Sequence, residues 1–297
     1  MPGIKKKIYI ESRFKTFDSK SNSNFKKELK ENYLVPDNYG AVITDITLPR
    51  SWYTVNENNC NFFFRIWAPV LGYEDFIVPI SFGNYDVKTL KDALVNAINV
   101  VYMTVQGLTP FTASYDINNG TISIAHPTVK FNVLTDKDLL GLDFGNTITQ
   151  LGWTGPRYDK TALKSINTVL SNVKDGLINY NAANPFKTGV VNTLPYDYVY
   201  ITCNQLSSFG NKGPRGERSL LKKVLVNEPF GGLINDNWFN EFDFTDVSKH
   251  LLRTLEFRVV DPDGNDVNLN GAHVSFSIGL IDISMHRSRK LFYVLLI

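Results

Sequence analysis

Residues 253–283, RTLEFRVVDPDGNDVNLNGAHVSFSIGLIDI, read in twos. Leu255, Phe257 and Val259 alternate with Glu256 and Arg258. A turn follows at Asp261-Pro262-Asp263-Gly264, and Val267 and Leu269 resume the alternation. Gly271 breaks it, and Val274, Phe276 and Ile278 then alternate with Ser275, Ser277 and Gly279. A period of two sends successive side chains to opposite faces, so each run predicts a strand with one dry and one wet face. The Asp-Gly and Asn-Gly pairs supply the turns of antiparallel pairing. Such strands need partners, and the rest of the chain must provide them.

It offers many. Phe and Tyr are abundant, at 20 and 14 residues of 297, and with frequent Val, Ile and Thr they favour strands. Short strand patterns with turn signals are predicted at Lys7–Arg13, Phe25–Leu34, Ala41–Val55, Asn61–Trp67 and Phe76–Phe82, a spacing that suggests a sandwich. Pro49 implies an edge or a bulge. The period then changes. Leu90, Leu94, Ala97, Ile98 and Val101 fall on one helical face, with Asp86 as N-cap. Phe111–Ile124 predicts a hairpin turning at Asn119-Gly120, followed by a strand at Val129–Leu134 and a short helix at Asp136–Leu142. Residues 145–193 predict long loops around one apolar patch, Ala162–Leu170. Alternation returns at Tyr196–Leu206, with Tyr198, Tyr200 and Thr202 on one face, and strands are expected at Leu220–Val226 and Phe239–Val247.

Candidate chemistry is sparse. A net charge of +2 excludes a polycation acting through its whole surface. The local basic run Lys5-Lys6-Lys7 reads as a strand flank or arm, with a weak nucleic-acid contact as its functional alternative. The histidines, His126, His250, His273 and His286, form no HExxH or HxH pattern, so a zinc hydrolase has no anchor. DPDGND resembles the start of a calcium loop, but the positions that should carry Gly and Glu hold Asp266 and Ala272; a turn with positive φ at Gly264 explains the same letters. Gly210, Gly213 and Gly216, with Lys212, Arg215 and Arg218, lack P-loop spacing and read as a basic surface loop. No GxSxG elbow occurs. Glu241 and Asp243 share a strand face and read as solvated. The aromatics at Trp52-Tyr53, Phe62–Phe64 and Trp238-Phe239 read as core, or as subunit contacts. Cys60 and Cys203 lie outside any CxxC pair and are expected to be free thiols, which fits a reducing compartment. No catalytic, cofactor-binding or metal-binding residue is assigned. No apolar stretch suits a signal peptide, and Leu291–Ile297 is too short to span a bilayer, so no membrane partner is expected.

Two stretches carry a family resemblance. YIESRFKTFDSKSNSNFKKELKENYLVPDNYGAVITDITLPRSWYT resembles the opening of capsid proteins encoded by Polinton/Maverick elements and adintovirus-like double-stranded DNA viruses. TLEFRVVDPDGNDVNLNGAHVSFSI is similar to their closing hairpin, with its D-x-x-G turn and G-x-x-V-S-F strand, and GNYDVKTLKDALVNAIN with NNGTISI fits the middle. The resemblance implies a mainly β, antiparallel jelly-roll sandwich with a helix-plus-hairpin insertion, and a chain of this length suits the penton, or minor capsid protein. It implies a homopentamer closing five-fold vertices against the major capsid protein, a virion location, and assembly in the host cytoplasm or nucleus. The expected organisation is an N-terminal arm at 1–24, a sandwich from 25–82 and 196–285, an insertion at 83–195 and a tail at 286–297. A lectin-like attachment or spike module is the alternative function. A cupin-type enzyme lacks the clustered histidines it would need.

Overall fold

The computed structural model describes residues 4–57, 59–68, 72–105, 109–134, 180–207, 213–214, 216–238 and 243–284. The chain divides into two units, 1–52 with 196–297, and 53–195. Numbered along the whole chain, the main strands of the first unit are β1 (Ile4–Glu11), β2 (Asn24–Leu34), β3 (Tyr39–Pro49), β10 (Tyr198–Cys203), β11 (Leu220–Leu225), β12 (Leu233–Asp236), β14 (Leu251–Val260) and β15 (Ser275–Asp282). One sheet runs β1-β15-β3-β12, with the two-residue β13 (Thr245–Asp246) also on β3; the other runs β11-β10-β14-β2. Every pairing in the two sheets is antiparallel.

Setting β13 aside, the first sheet orders its strands first–eighth–third–sixth, and the second fifth–fourth–seventh–second. These are two interleaved Greek keys, the jelly roll. The two ends of the sandwich sequence meet in it: Ile8 lies opposite Ile278 and Ile10 opposite Phe276. Alternate residues of facing strands form the core, among them Phe25, Ile46, Leu48, Val199, Ile201, Leu255, Phe257 and Phe276, each at most 1% exposed. Burying one such side chain contributes about 1.5–3 kcal/mol, which accounts for a stable sandwich without a cross-link.

The closing sequence departs from a simple hairpin. β14 and β15 belong to opposite sheets, and Val267 and Leu269, predicted as strand, lie in the link between them. They are nonetheless buried, and Val267 N–H donates to Val259 O. Alternation reports a dry face, not a neighbour, so a corner that dips into the core imitates a strand. Nor is the second face of β15 wet. Ser277 is 2% exposed because Asp45, its hydrogen-bond partner at 3.0 Å, and Lys7 cover it. β15 is a central strand, covered on both sides.

The second unit contains β4 (Asn61–Ala68), β5 (Gly72–Pro79), helix α1 (Val87–Val105), β6 (Thr112–Asp116), β7 (Thr121–Ala125), β8 (Phe131–Val133) and β9 (Phe186–Lys187). Its sheets run β5-β4-β8 and β6-β7-β9. The boundary therefore differs from the one expected: β4 pairs with both β5 and β8 of this unit, and 4–11 is an edge strand of the sandwich, not an arm. Helix α1 buries Leu90, Leu94, Ile98 and Tyr102, one residue per turn. Asp86 caps it, accepting from Thr89 N–H at 2.7 Å while Thr89 Oγ1 accepts from Asp86 N–H at 3.0 Å. Gly120 takes φ +64° in the turn between β6 and β7, as Asn119-Gly120 predicts. The segments at 136–142 and 162–170 lie outside the described residues, as do the tail and Phe239–Glu241; of the strand expected to 247 the described part is β13.

Candidate functional site

The link that follows β14 opens with a turn built by Asp261. Its Oδ1 accepts from Asp263 N–H at 3.0 Å and Asn265 N–H at 2.9 Å, while Asn265 Nδ2 reaches Oδ2 at 3.1 Å. Gly264, at φ +83°, donates to Asp261 O. The carboxylate is thus occupied by its own loop's N–H groups, as a turn requires. Burial raises its pKa above the ordinary value, with Asn265 pulling the other way. Beside it, Arg258 Nε donates to Asp266 Oδ1 at 2.6 Å, and Asn24 Nδ2 donates to Asp266 Oδ2 at 2.7 Å. No group of three metal-ligating side chains occurs among the described residues.

This turn borders a cleft of about 290 Å³ on the outer face of β10 and β14. Tyr200 and Thr202 line it from β10, opposite Val260 and Arg258 in register, and Glu217 and Ser219 approach from the segment before β11. Gly213 lines it, whereas Gly210, Lys212 and Arg215 lie outside the described residues. Tyr198 packs edge-on against Tyr200 with centroids 5.4 Å apart, on the face away from the fully buried Val199 and Ile201, and Tyr200 is itself buried.

The basic run lies on β1, and its side chains turn to different partners. Lys7 Nζ lies 2.8 Å from Asp45, whose hydrogen bond raises the lysine's pKa, and Lys6 Nζ stands 3.6 Å above the Tyr33 ring. His126, 1% exposed, faces Thr109 O through Nε2 at 2.7 Å and accepts Val129 N–H on Nδ1 at 2.9 Å. His273 Nδ1 contacts Ser12 Oγ at 3.3 Å. His286 and Glu241 lie outside the described residues, and Asp243 is exposed. Trp52 and Phe62–Phe64 are buried. Trp238 is not core: it is 79% exposed.

The exposed aromatics gather at the sandwich's two long edges. β1 and β2 form one edge, joined by the Lys6–Tyr33 contact. β11 and β12 form the other, joined by Lys222 Nζ, 3.1 Å from Asp236. Phe14 and Phe17, 62% and 103% exposed, stand on the β1–β2 connection; Trp238 follows β12. Alternation does not mark Phe14 or Phe17; two Phe in a short polar segment between strands are the available signal. Among the described residues no helix is long and apolar enough to cross a membrane.

No protein-family model matches the chain. No curated protein matches it either. Among solved structures it is similar to the mavirus penton protein, crystallised in SeMet-labelled form, at 11% identity and a TM-score of 0.49, over 93% of this chain and 99% of that one.

Proposed function

We propose that this chain is a structural protein of a virus particle, a penton-type minor capsid protein that assembles with copies of itself, as a homopentamer, and abuts the major capsid protein at five-fold vertices. The strand order of the two sheets carries the proposal, because the jelly roll is an architecture of viral capsid proteins. The residue-level resemblance at both ends of the chain narrows it to the shells of Polinton/Maverick and adintovirus-like particles, and to the virion as its location. The role is one of contact, not catalysis. Negative-stain electron microscopy of the purified chain tests it: five-fold rings are expected, and a protein that remains monomeric at all concentrations overturns it.

One observation favours a second function. Lectin domains share the jelly roll, and the cleft on β10 and β14 offers Tyr200 beside Glu217 and Arg258, a mixture suited to hydroxyl groups. Binding of glycans by the isolated monomer, lost in Tyr200→Ala, would support an attachment module.

A further inference from the structure

We propose that the β1–β2 edge of one copy docks on the β11–β12 edge of a second copy of this chain, with Phe17 as the knob that enters the partner surface; the proposal rests on the self-assembling function inferred above. These are opposite edges of the same sandwich, so they cannot meet within one copy. Their chemistry is complementary. Residues 4–34 carry nine Lys and Arg against four Asp and Glu, whereas the described residues of 220–247 carry two against four. Like edges repel and unlike edges attract, which disfavours a two-fold dimer and selects a head-to-tail contact. A head-to-tail contact is heterologous, and it closes into a ring when its rotation permits.

The apolar parts match as well. Phe17 is fully exposed, yet its turn is ordered: Thr16 N–H donates to Lys26 O at 2.9 Å, and Thr16 Oγ1 and Lys26 Nζ both reach Asp18 at 2.6 Å. Lys27 Nζ donates to Phe14 O at 3.3 Å beside it. A phenyl ring held in water on a braced turn contributes nothing to this chain's own core. Pre-ordering it removes part of the entropy cost of docking. On the opposite edge, Phe230, Leu233 and Trp238 are 41%, 47% and 79% exposed. Phe230 is positioned by the buried Arg50 guanidinium, 5.8 Å from its ring, and Trp238 by Lys222 Nζ, which donates to its carbonyl at 2.7 Å. Aromatic anchors within a charged surround are the composition of a protein contact.

The test uses the full chain carrying Phe17→Asp or Trp238→Asp, each at an exposed site, with thermal unfolding to verify the fold. Analytical ultracentrifugation of the unsubstituted chain is expected to show rings, and each variant alone is expected to be monomeric. An equimolar mixture of the two variants retains one intact edge from each, so it should give one-to-one pairs and no rings. Rings that persist in both variants, two-fold dimers of the unsubstituted chain, or folded variants that fail to pair when mixed would overturn the edge assignment while leaving self-assembly standing. An unsubstituted chain that stays monomeric at every concentration would overturn both.

Discussion

Phe257 and Phe276 meet edge to face across the interior of the sandwich, with ring centroids 5.0 Å apart and planes at 82°. One belongs to each sheet, and Phe25 extends the cluster, 5.7 Å from Phe257. Phe257→Ala or Phe276→Ala should each cost about 3–5 kcal/mol, the usual loss for a buried phenyl ring. A double-mutant cycle should return a coupling of about 0.5–1.5 kcal/mol beyond burial. Denaturant unfolding of the four proteins measures it, and zero coupling would mean that the rings merely share a core.

Gly279 is required by closeness, not by backbone angle. A Cβ there would stand 2.8 Å from Thr44 Cγ2 and 3.5 Å from Ile4 Cδ1. Gly279→Ala should therefore destabilise the sandwich by about 1–3 kcal/mol through overpacking. Thr44→Ser removes the opposing methyl and keeps the hydroxyl that donates to Asp45 at 2.8 Å. Combining the two should recover most of the loss in thermal melts; a double variant no more stable than Gly279→Ala would place the strain elsewhere.

Much of the sandwich is written in its sequence, and the reasons are local. Leu255, Phe257, Val259, Phe276 and Ile278 alternate because each strand has a dry face, and a face is legible from spacing alone. Which strand lies beside which is not. β14 and β15 look like a hairpin until Val267 and Leu269 turn out to be the corner that carries the chain to the other sheet. β4 and β5 have the same pattern as sandwich strands, and only their pairing with each other and of β4 with β8 assigns them to the second unit. Exposure escaped detection for the same reason: Trp238 and Phe17 read as apolar letters, and their being in water depends on what the tertiary fold leaves uncovered.

Two carboxylates should give opposite pH dependences. Burial alone would raise Asp45, but hydrogen bonds from Lys7, Thr44 and Ser277 bring it below its ordinary 3.8. A depressed folded-state value means stability that is present above 3.8 and lost as pH falls through the lower value. Asp261 is raised by burial. The folded state then holds the proton more tightly, so its contribution is full below 3.8 and is lost as pH rises through the higher value. Unfolding free energies from acid to neutral pH should show Asp45→Asn flattening the curve below 3.8 and Asp261→Asn flattening it above. Curves parallel to that of the unsubstituted chain would contradict both assignments.

His126 should be structural and intolerant of apolar replacement. Its Nδ1 accepts from Val129 N–H at 2.9 Å and Thr128 N–H at 3.2 Å, and its ring packs 4.7 Å from Phe111. Phenylalanine would fill the volume but leave both donors without their acceptor, at roughly 1–3 kcal/mol for each one that stays buried. A thermal midpoint unchanged in His126→Phe would show that the loop finds other acceptors.

Cysteine reactivity gives a probe of each unit separately, because Cys60 lies in the second and Cys203 in the sandwich. Burial pushes the Cys203 thiol up to about 12, and its Sγ–H donates to Gln205 Oε1 at 3.3 Å. The attacking species is the thiolate, so at pH 8 a buried thiol with that value is inert until the strand opens. Cys60 is partly exposed and is raised by burial as well. A thiol reagent at pH 8 should therefore modify Cys60 slowly in the native protein. Cys203 should be modified only at denaturant concentrations that unfold the sandwich, as read by peptide mass spectrometry. Because β10 is flanked by β11 and β14, its labelling rate should follow the sandwich's own opening. Rapid labelling of Cys203 under native conditions would mean that β10 is not held between those neighbours.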